Sequence, residues 1–469
     1  MNYSFIPIII IGIFTFVPLW IGAAAGKESL WNTEDFFVQS RKMSTFTSFF
    51  TVYATWWSSF AFLGSSAYFY IRGPVYWSGI AWNILFGILY YTIGKRIWFH
   101  GKTNGYITPT DLFSDVYHSK TLDGLITLLM ILFTLPYLQI QLSGGAYLIE
   151  IASNGLISWK VSGLIFYLII IIYLWAGGLR AVAWADIFYG ILILLGMMIG
   201  GFYLVEKVGG ITYLFESIQY SNPEHLQLPG PMGDSDEWLW ISMFMITPIG
   251  ALMGPQLWIR MYCVEKRESF SIMPFLFSIT AIVYLGSMLV GTVGVLLEPD
   301  IEVPDVIYPM LLLKKAPTWL TAFLLCCGAA AAMSTSNSQI HAISAVYSID
   351  VHKKYINPNI SDRRLVFIGR WAIVFFSAIA YIMLVNFPGL LVQIGMIALS
   401  GTAQVFVPTV GALVWKRANS KSAIAGLLSG VSVLVICTFI FKMTAAHSGL
   451  IGLMINAMIF ISIGFIAKK

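Results

Sequence analysis

VYATWWSSFAFLGSSAYF, residues 52–69, places Thr55, Ser58, Ser59, Ser65 and Ser66 in the middle of an otherwise apolar run, with Trp56 and Trp57 beside the polar cluster. The composition around it points to lipid as the solvent. Of 469 residues, 58% are hydrophobic and 10% charged, whereas a soluble domain carries about a quarter charged residues. In hydrocarbon every backbone polar group must find a partner inside the protein, so hydroxyls and broken helices at bilayer depth mark places where function is built. A helix unwound at this stretch would free carbonyls near Ala54 and Trp57 for a cation and would aim a half-helix N terminus at an anionic group. The alternative is a continuous helix whose hydroxyls bond back to the carbonyl one turn earlier.

Crossing the hydrocarbon takes roughly 20 apolar residues as helix. Thirteen such runs occur, near 3–24, 44–71, 75–98, 122–152, 158–176, 182–205, 238–259, 270–297, 317–349, 365–386, 388–415, 422–442 and 447–467. The first ends on small residues, Ala23 to Gly26, like a signal peptide, but no positive residue precedes it, which favours a retained span with its N terminus outside. On thirteen crossings, 21 Lys and Arg fall inside, among them Arg41, Lys42, Arg180, Arg260, Lys266, Lys353, Lys468 and Lys469. Only 6 fall outside: Arg72, Lys160, Lys207, Lys314, Lys315 and Lys442. That asymmetry follows the positive-inside rule and puts the C terminus in the cytoplasm. The outside segments 207–237 and 298–316 are acidic and read as solvated faces, with a weak cation-attracting vestibule as the other reading. Gly196 with Gly200, and Gly426 with Gly430, read as close helix contacts.

The net charge of +5 is too diffuse for nucleic acid. Phosphate-cradling glycine loops, HExxH and paired CxxC motifs are absent, so nucleotide-driven transport and common metallohydrolase chemistry lack support. Cys263, Cys326, Cys327 and Cys437 imply no disulfide framework.

Two further runs are polar or broken at depth. The seventh, MFMITPIGALMGPQLWIR (243–260), holds Pro248, Gly250, Gly254 and Pro255 and predicts a kinked or unwound helix. It lies five spans after the second, and two interrupted helices at matching positions point to an inverted-repeat transporter with its site at the midplane. The ninth, CCGAAAAMSTSNSQIHAISAVYSID (326–350), pairs small residues for close approach with Ser334, Thr335, Ser336, Asn337, Ser338 and Gln339, hard oxygen ligands for part of a cation shell. His341 reads as a satisfied interior histidine, with a proton relay as the other role. Asp186, opening the sixth span, is expected to be the only carboxylate facing the bundle interior, either paired with a positive residue or capping its helix, or serving an ion. Asn83 and Tyr76 are placed to line a cavity.

Three segments carry a family resemblance over essentially the whole chain. DFFVQSRKMSTFTSFFTVYAT (35–55) resembles the FxxxGRS approach to the second helix of the sodium/solute symporter family, with Gln39 where that motif has Gly. GGLRAVAWADIFYG (177–190) is similar to its GGLxAVxxxD segment, and AAAAMSTSNSQ with the following YSIDVHKK to its AAxMST segment. The family includes sodium/proline, sodium/galactose, sodium/sialic acid and sodium/pantothenate symporters. The resemblance implies a single all-α membrane domain over 1–469 with thirteen transmembrane helices: an extra helix at 3–24, a LeuT-type core of five plus five inverted helices at 44–205 and 238–415, and two C-terminal helices at 422–467.

Carried over by position, the principal sodium site falls on the carbonyls of Ala54, Trp57 and Ala331 and the hydroxyls of Ser334 and Thr335. A second sodium site, found in some members, falls on Asp186, Ser334, Asn337 and Ser338, with Asn337 replacing a usual serine. The expected substrate pocket comprises Trp56, Ser58, Asn83, Thr247, Ala251 and Pro255. Sodium/proline members have Asp at the position of Trp56 and Trp and Tyr at those of Thr247 and Ala251. Only Pro255 agrees on the seventh span, so proline specificity does not transfer, and the sugar members' polar pocket is not evident either. The expectation is a non-enzymatic symporter importing a small organic solute, an amino acid or short carboxylate, with sodium as coupling ion and only metal. No organic cofactor, nucleic acid or obligate protein partner is expected. The alternatives are a sugar, vitamin or other solute, coupling to protons, and, more remotely, a channel, a sensor or a membrane-embedded enzyme using His341 and Asp186.

Overall fold

The computed structural model describes residues 6–27 and 32–466. The start of the first run and the inside charges Lys468 and Lys469 lie outside the described residues. Among the described residues the chain is all helix and connection, with one isolated β-bridge between Met43 and Val264.

Among the described residues nine helices are long and apolar enough to cross a membrane: Ile6–Ala25, Lys120–Ala152, Gly178–Lys207, Ser269–Leu297, Thr318–Ile356, Asp362–Asn386, Leu391–Val414, Ser420–Ile440 and Ala445–Ile466. A tenth is the seventh expected run, built as Glu237–Met253 and Pro255–Cys263 with a 58° bend between them. The second, third and fifth runs are assembled from shorter pieces. The second comprises Thr45–Trp56, a π-helical turn at Phe60–Gly64 and Ser65–Arg72. The third passes through Ser78–Leu89, a π-helical turn at Tyr90–Gly94 and Lys95–Asn104. The fifth contains the short apolar helix Trp159–Ile172 and meets the sixth at Gly178, whose φ of 55° only glycine adopts freely.

Thr318–Val346 is the central helix, buried on all sides from Leu320 to Val346 apart from Phe323, which is half-buried. Its Ala329 to Ala332 segment admits neighbours closely. The expected glycine contacts are present: a Cβ on Gly196 would lie 2.3 Å from that of Cys327, and one on Gly430 would lie 2.9 Å from the carbonyl oxygen of Gly452.

The acidic segments 207–237 and 298–316 are not simply solvated faces. Asp236 caps the seventh span by accepting the Leu239 N–H at 2.7 Å, Glu298 pairs with Lys314 at 2.7 Å, and Asp234 pairs with Arg72. Asp305 is 1% exposed and accepts the Leu391 N–H at 3.0 Å, capping the start of the eleventh span. Burial pushes its carboxyl up to about 7, with the Leu391 amide opposing. Asp186 is therefore not the only buried carboxylate. Asp35 holds Arg180 at 2.7 Å, and Asp350 holds Lys354 at 3.1 Å and Thr108 at 2.9 Å.

Candidate functional site

The second span breaks where its hydroxyls gather. Ser44 caps the helix start, accepting the Thr47 N–H at 3.2 Å, and the helix ends at Trp57, whose ψ of 89° takes its carbonyl off the helix axis. The ninth span receives the freed backbone. Ser334 Oγ donates to the Ala54 carbonyl at 2.8 Å and lies 3.1 Å from the Ala331 carbonyl. Thr335 Oγ1 reaches the Thr55 carbonyl at 3.0 Å and that of Ala54 at 3.4 Å. Four of the five residues expected at the principal ion site thus converge as hard oxygens, with the Thr55 carbonyl added. Trp57, the fifth, is fully buried, its ring 4.6 Å from that of Tyr284.

Below this seam lies a buried ion pair. Arg260 donates to Asp186 Oδ2 at 3.1 Å, to Ser338 Oγ at 2.5 Å and to Thr51 Oγ1 at 2.9 Å, and Thr51 donates to Asp186 Oδ2 at 2.5 Å. Ser338 also pairs with Thr55 Oγ1 at 2.9 Å, which ties the cluster to the break. Of the residues expected at a second ion site, Asp186 and Ser338 meet through this guanidinium, Ser334 sits in the seam, and Asn337 is buried with neither amide atom hydrogen-bonded. Asp186 Oδ1 likewise has no hydrogen-bond partner among the described residues. Arg260 is not the inside-loop charge expected from the sequence: it is 1% exposed within the helix Pro255–Cys263. A carboxylate buried in the sixth span was the signal that a cation had to lie nearby.

The expected substrate residues are buried around the two breaks. The Trp56 indole N–H donates to Asn83 Oδ1 at 2.5 Å, and its ring stacks on Phe86 at 4.7 Å. Thr247 donates to Met396 Sδ at 3.6 Å, Ala251 is 1% exposed, and Pro255 starts the second half of the seventh span. Gly250 packs so closely on the eleventh span that a Cβ would lie 2.0 Å from the Leu399 carbonyl oxygen, and its own carbonyl accepts Thr402 Oγ1 at 2.8 Å. The N–H groups after the second-span break, expected to face an anion, already have partners: Ser59 donates to Gln141 Oε1 at 3.0 Å and Phe60 to Ser58 Oγ at 3.1 Å. Gln141 and Thr402 each lie among other polar residues, Gln139 and Ser143 beside the first and Ser400 and Gln404 beside the second, and those short polar stretches are the signal in the sequence that could have found them. His341 is the satisfied interior histidine, its Nε2 2.9 Å from the Phe36 carbonyl.

Broken helices meeting at a buried polar seam, in an all-helical membrane fold, define a secondary transporter. The fold is that of a Na+-coupled sialic acid symporter solved in a substrate-bound outward-open state, with a TM-score of 0.84 at 16% identity over 100% of this chain and 99% of that one. A nucleobase-cation-symport-1 family transporter in a closed conformation matches with a TM-score of 0.61 at 13% identity over 91% and 93%. The profile of the sodium:solute symporter family matches residues 36–430, and the chain belongs to that family. It is 25% identical to an uncharacterized symporter of Bacillus subtilis, over 92% of this chain and 88% of the relative. With the sodium/pantothenate symporter of Escherichia coli it shares 26% identity over 91% and 89%. The family consists of transporters, so the enzymatic reading of Asp186 and His341 falls away.

Proposed function

We propose that this protein imports a small organic solute together with sodium, and that Ala54, Trp57, Ala331, Ser334 and Thr335 hold the coupling ion. The observation that carries this is the direct bridging of the broken second span to the ninth by Ser334 and Thr335. An ion there takes over the carbonyls that these hydroxyls now engage, binding the two helices more firmly in the state that admits it. One charge moving inward through 100 mV releases about 2.3 kcal/mol, roughly a fiftyfold concentration ratio before the sodium gradient is added.

The three piecewise spans, added to the nine helices and the bent pair, make the thirteen crossings of this reading. The N terminus is outside and the C terminus cytoplasmic, as the distribution of Lys and Arg favours. Asp186, Ser334, Asn337 and Ser338 form the second ion site of the reading, with Arg260 as its fixed neighbouring charge. On the inner side, Met43 donates to the Cys263 carbonyl at 3.0 Å and accepts the Glu265 N–H at 3.0 Å, pinning the inner ends of the two broken spans. Release inward has to part these bonds.

Trp56, Ser58, Asn83, Thr247, Ala251 and Pro255 border the solute in this reading, which takes an amino acid or short carboxylate as the substrate. Pantothenate and proline, named for two relatives, both carry a carboxylate. An outer cavity of about 310 Å³, lined by Arg72, Asp234 and Lys442 with Met243 and Met396, bears two cations and one carboxylate, which favours an anionic solute. A thermal-shift screen of amino acids, carboxylates, nucleobases and sugars, with and without sodium, identifies the solute. Its uptake into proteoliposomes is then expected to require inward sodium and to collapse with a sodium ionophore. Equal uptake driven by a proton gradient alone contradicts the reading.

A further inference from the structure

The third span departs from regular winding just before its inner end, at the π-helical turn Tyr90–Gly94. Such a turn adds a residue to the helix and re-aims the side chains that follow. Beside it is a cavity of about 660 Å³ whose lining includes Tyr91, Lys95, Arg96, Trp98, His100 and Arg267. Among the described residues no carboxylate lines it. Glu265 and Glu268 flank Arg267 in sequence but do not reach the cavity. Among the described residues, Lys95, Arg96 and Arg267 are in no ion pair, and the Lys95 ammonium lies 4.2 Å from the Tyr91 ring centroid. Uncompensated positive charge is therefore concentrated in a concave site.

The same helix face continues away from the charges as an apolar track. Ile84, Ile88 and Tyr91 are 43%, 47% and 37% exposed, at helical spacing. On the far side, Leu413 borders the cavity, and the next residues, Val414 and Trp415, line an apolar groove of about 480 Å³. A cationic pocket between apolar tracks at a membrane interface has the shape and charge of a phospholipid receptor.

We propose that this cavity binds an anionic phospholipid of the inner leaflet, its phosphate among Lys95, Arg96 and Arg267 and its acyl chains along Ile84 and Ile88. The choice of leaflet rests on the orientation proposed above; the charge and the ligand class do not. Native mass spectrometry of the purified full chain in an uncharged detergent, titrated with phosphatidylglycerol or phosphatidylcholine, tests it. The expected result is at least a tenfold preference for phosphatidylglycerol. Combined Lys95→Gln, Arg96→Gln and Arg267→Gln should weaken that binding by roughly a hundredfold for three charges. Arg363→Gln with Arg364→Gln, two exposed positive residues elsewhere, should leave it unchanged. If the triple variant fails to fold, each single change should still weaken binding several-fold. Equal binding of the two lipids, equal loss in the control variant, or competition by soluble glycerophosphate at the concentration of the lipid would each overturn the proposal, the last by making this a site for free phosphate.

Discussion

The second and seventh spans both break partway along their length, but for different reasons. In the seventh, the chain itself prescribes the interruption. Gly254 takes an extended ψ of 138° and Pro255 starts the second half, where its missing N–H is no loss. The second has no proline and no glycine at its break. It is opened by partners on other helices: Ser334 and Thr335 on the carbonyl side, Gln141 on the amide side. A break encoded locally tolerates changes in its neighbours, whereas a break held open from outside depends on them. That dependence suits the second span to sensing an ion, since a ligand competing for the same carbonyls acts directly on what holds the break.

The largest expected effect comes from Arg260, which links the two regions. Arg260→Gln leaves Asp186 buried without its ionic partner and should destabilise the protein by about 3–5 kcal/mol, read as a lower unfolding temperature in detergent. Adding Asp186→Asn should restore a large part of the loss, and a double variant no more stable than the single one would sink the assignment of the pair. Next is Gln141→Ala, which strands the buried Ser59 N–H and should cost about 1–3 kcal/mol. It should also raise the rate of hydrogen exchange at that amide, whereas unchanged exchange there would mean that the second break does not depend on outside partners. The smallest effect is expected for Pro255→Ala. With alanine a good helix former and Gly254 and Thr402 still in place, the loss should stay within about 1 kcal/mol. A loss as large as that of Gln141→Ala would erase the distinction between the two breaks.

Most of the architecture is legible in the sequence because lipid makes hydropathy decisive. The seventh break is legible through Pro248, Gly250, Gly254 and Pro255, and the second through its hydroxyls. The third and fifth spans are continuous runs in the sequence but assembled from shorter pieces, since neither the π-helical turn at Tyr90 nor the joint at Gly178 interrupts hydropathy. Arg260 was misplaced because a cation close to the end of an apolar run is indistinguishable from a loop charge until its partner is located. Asp305 looked solvated for the same kind of reason: its burial depends on an amide at Leu391, 86 residues away. Local pattern reveals where the chain departs from ordinary helix, while the identity of the group that answers each departure is a tertiary fact.

The central claim, that sodium is held where the ninth span meets the broken second, is tested most directly by radioactive sodium binding to the purified protein. Ser334→Ala with Thr335→Ala should weaken binding by at least about a hundredfold, at about 1.5–3 kcal/mol for each lost contact to a charge, while the loss of stability from the freed Ala54 and Thr55 carbonyls stays comparable to that of Gln141→Ala. Undiminished sodium affinity in that double variant would contradict the account.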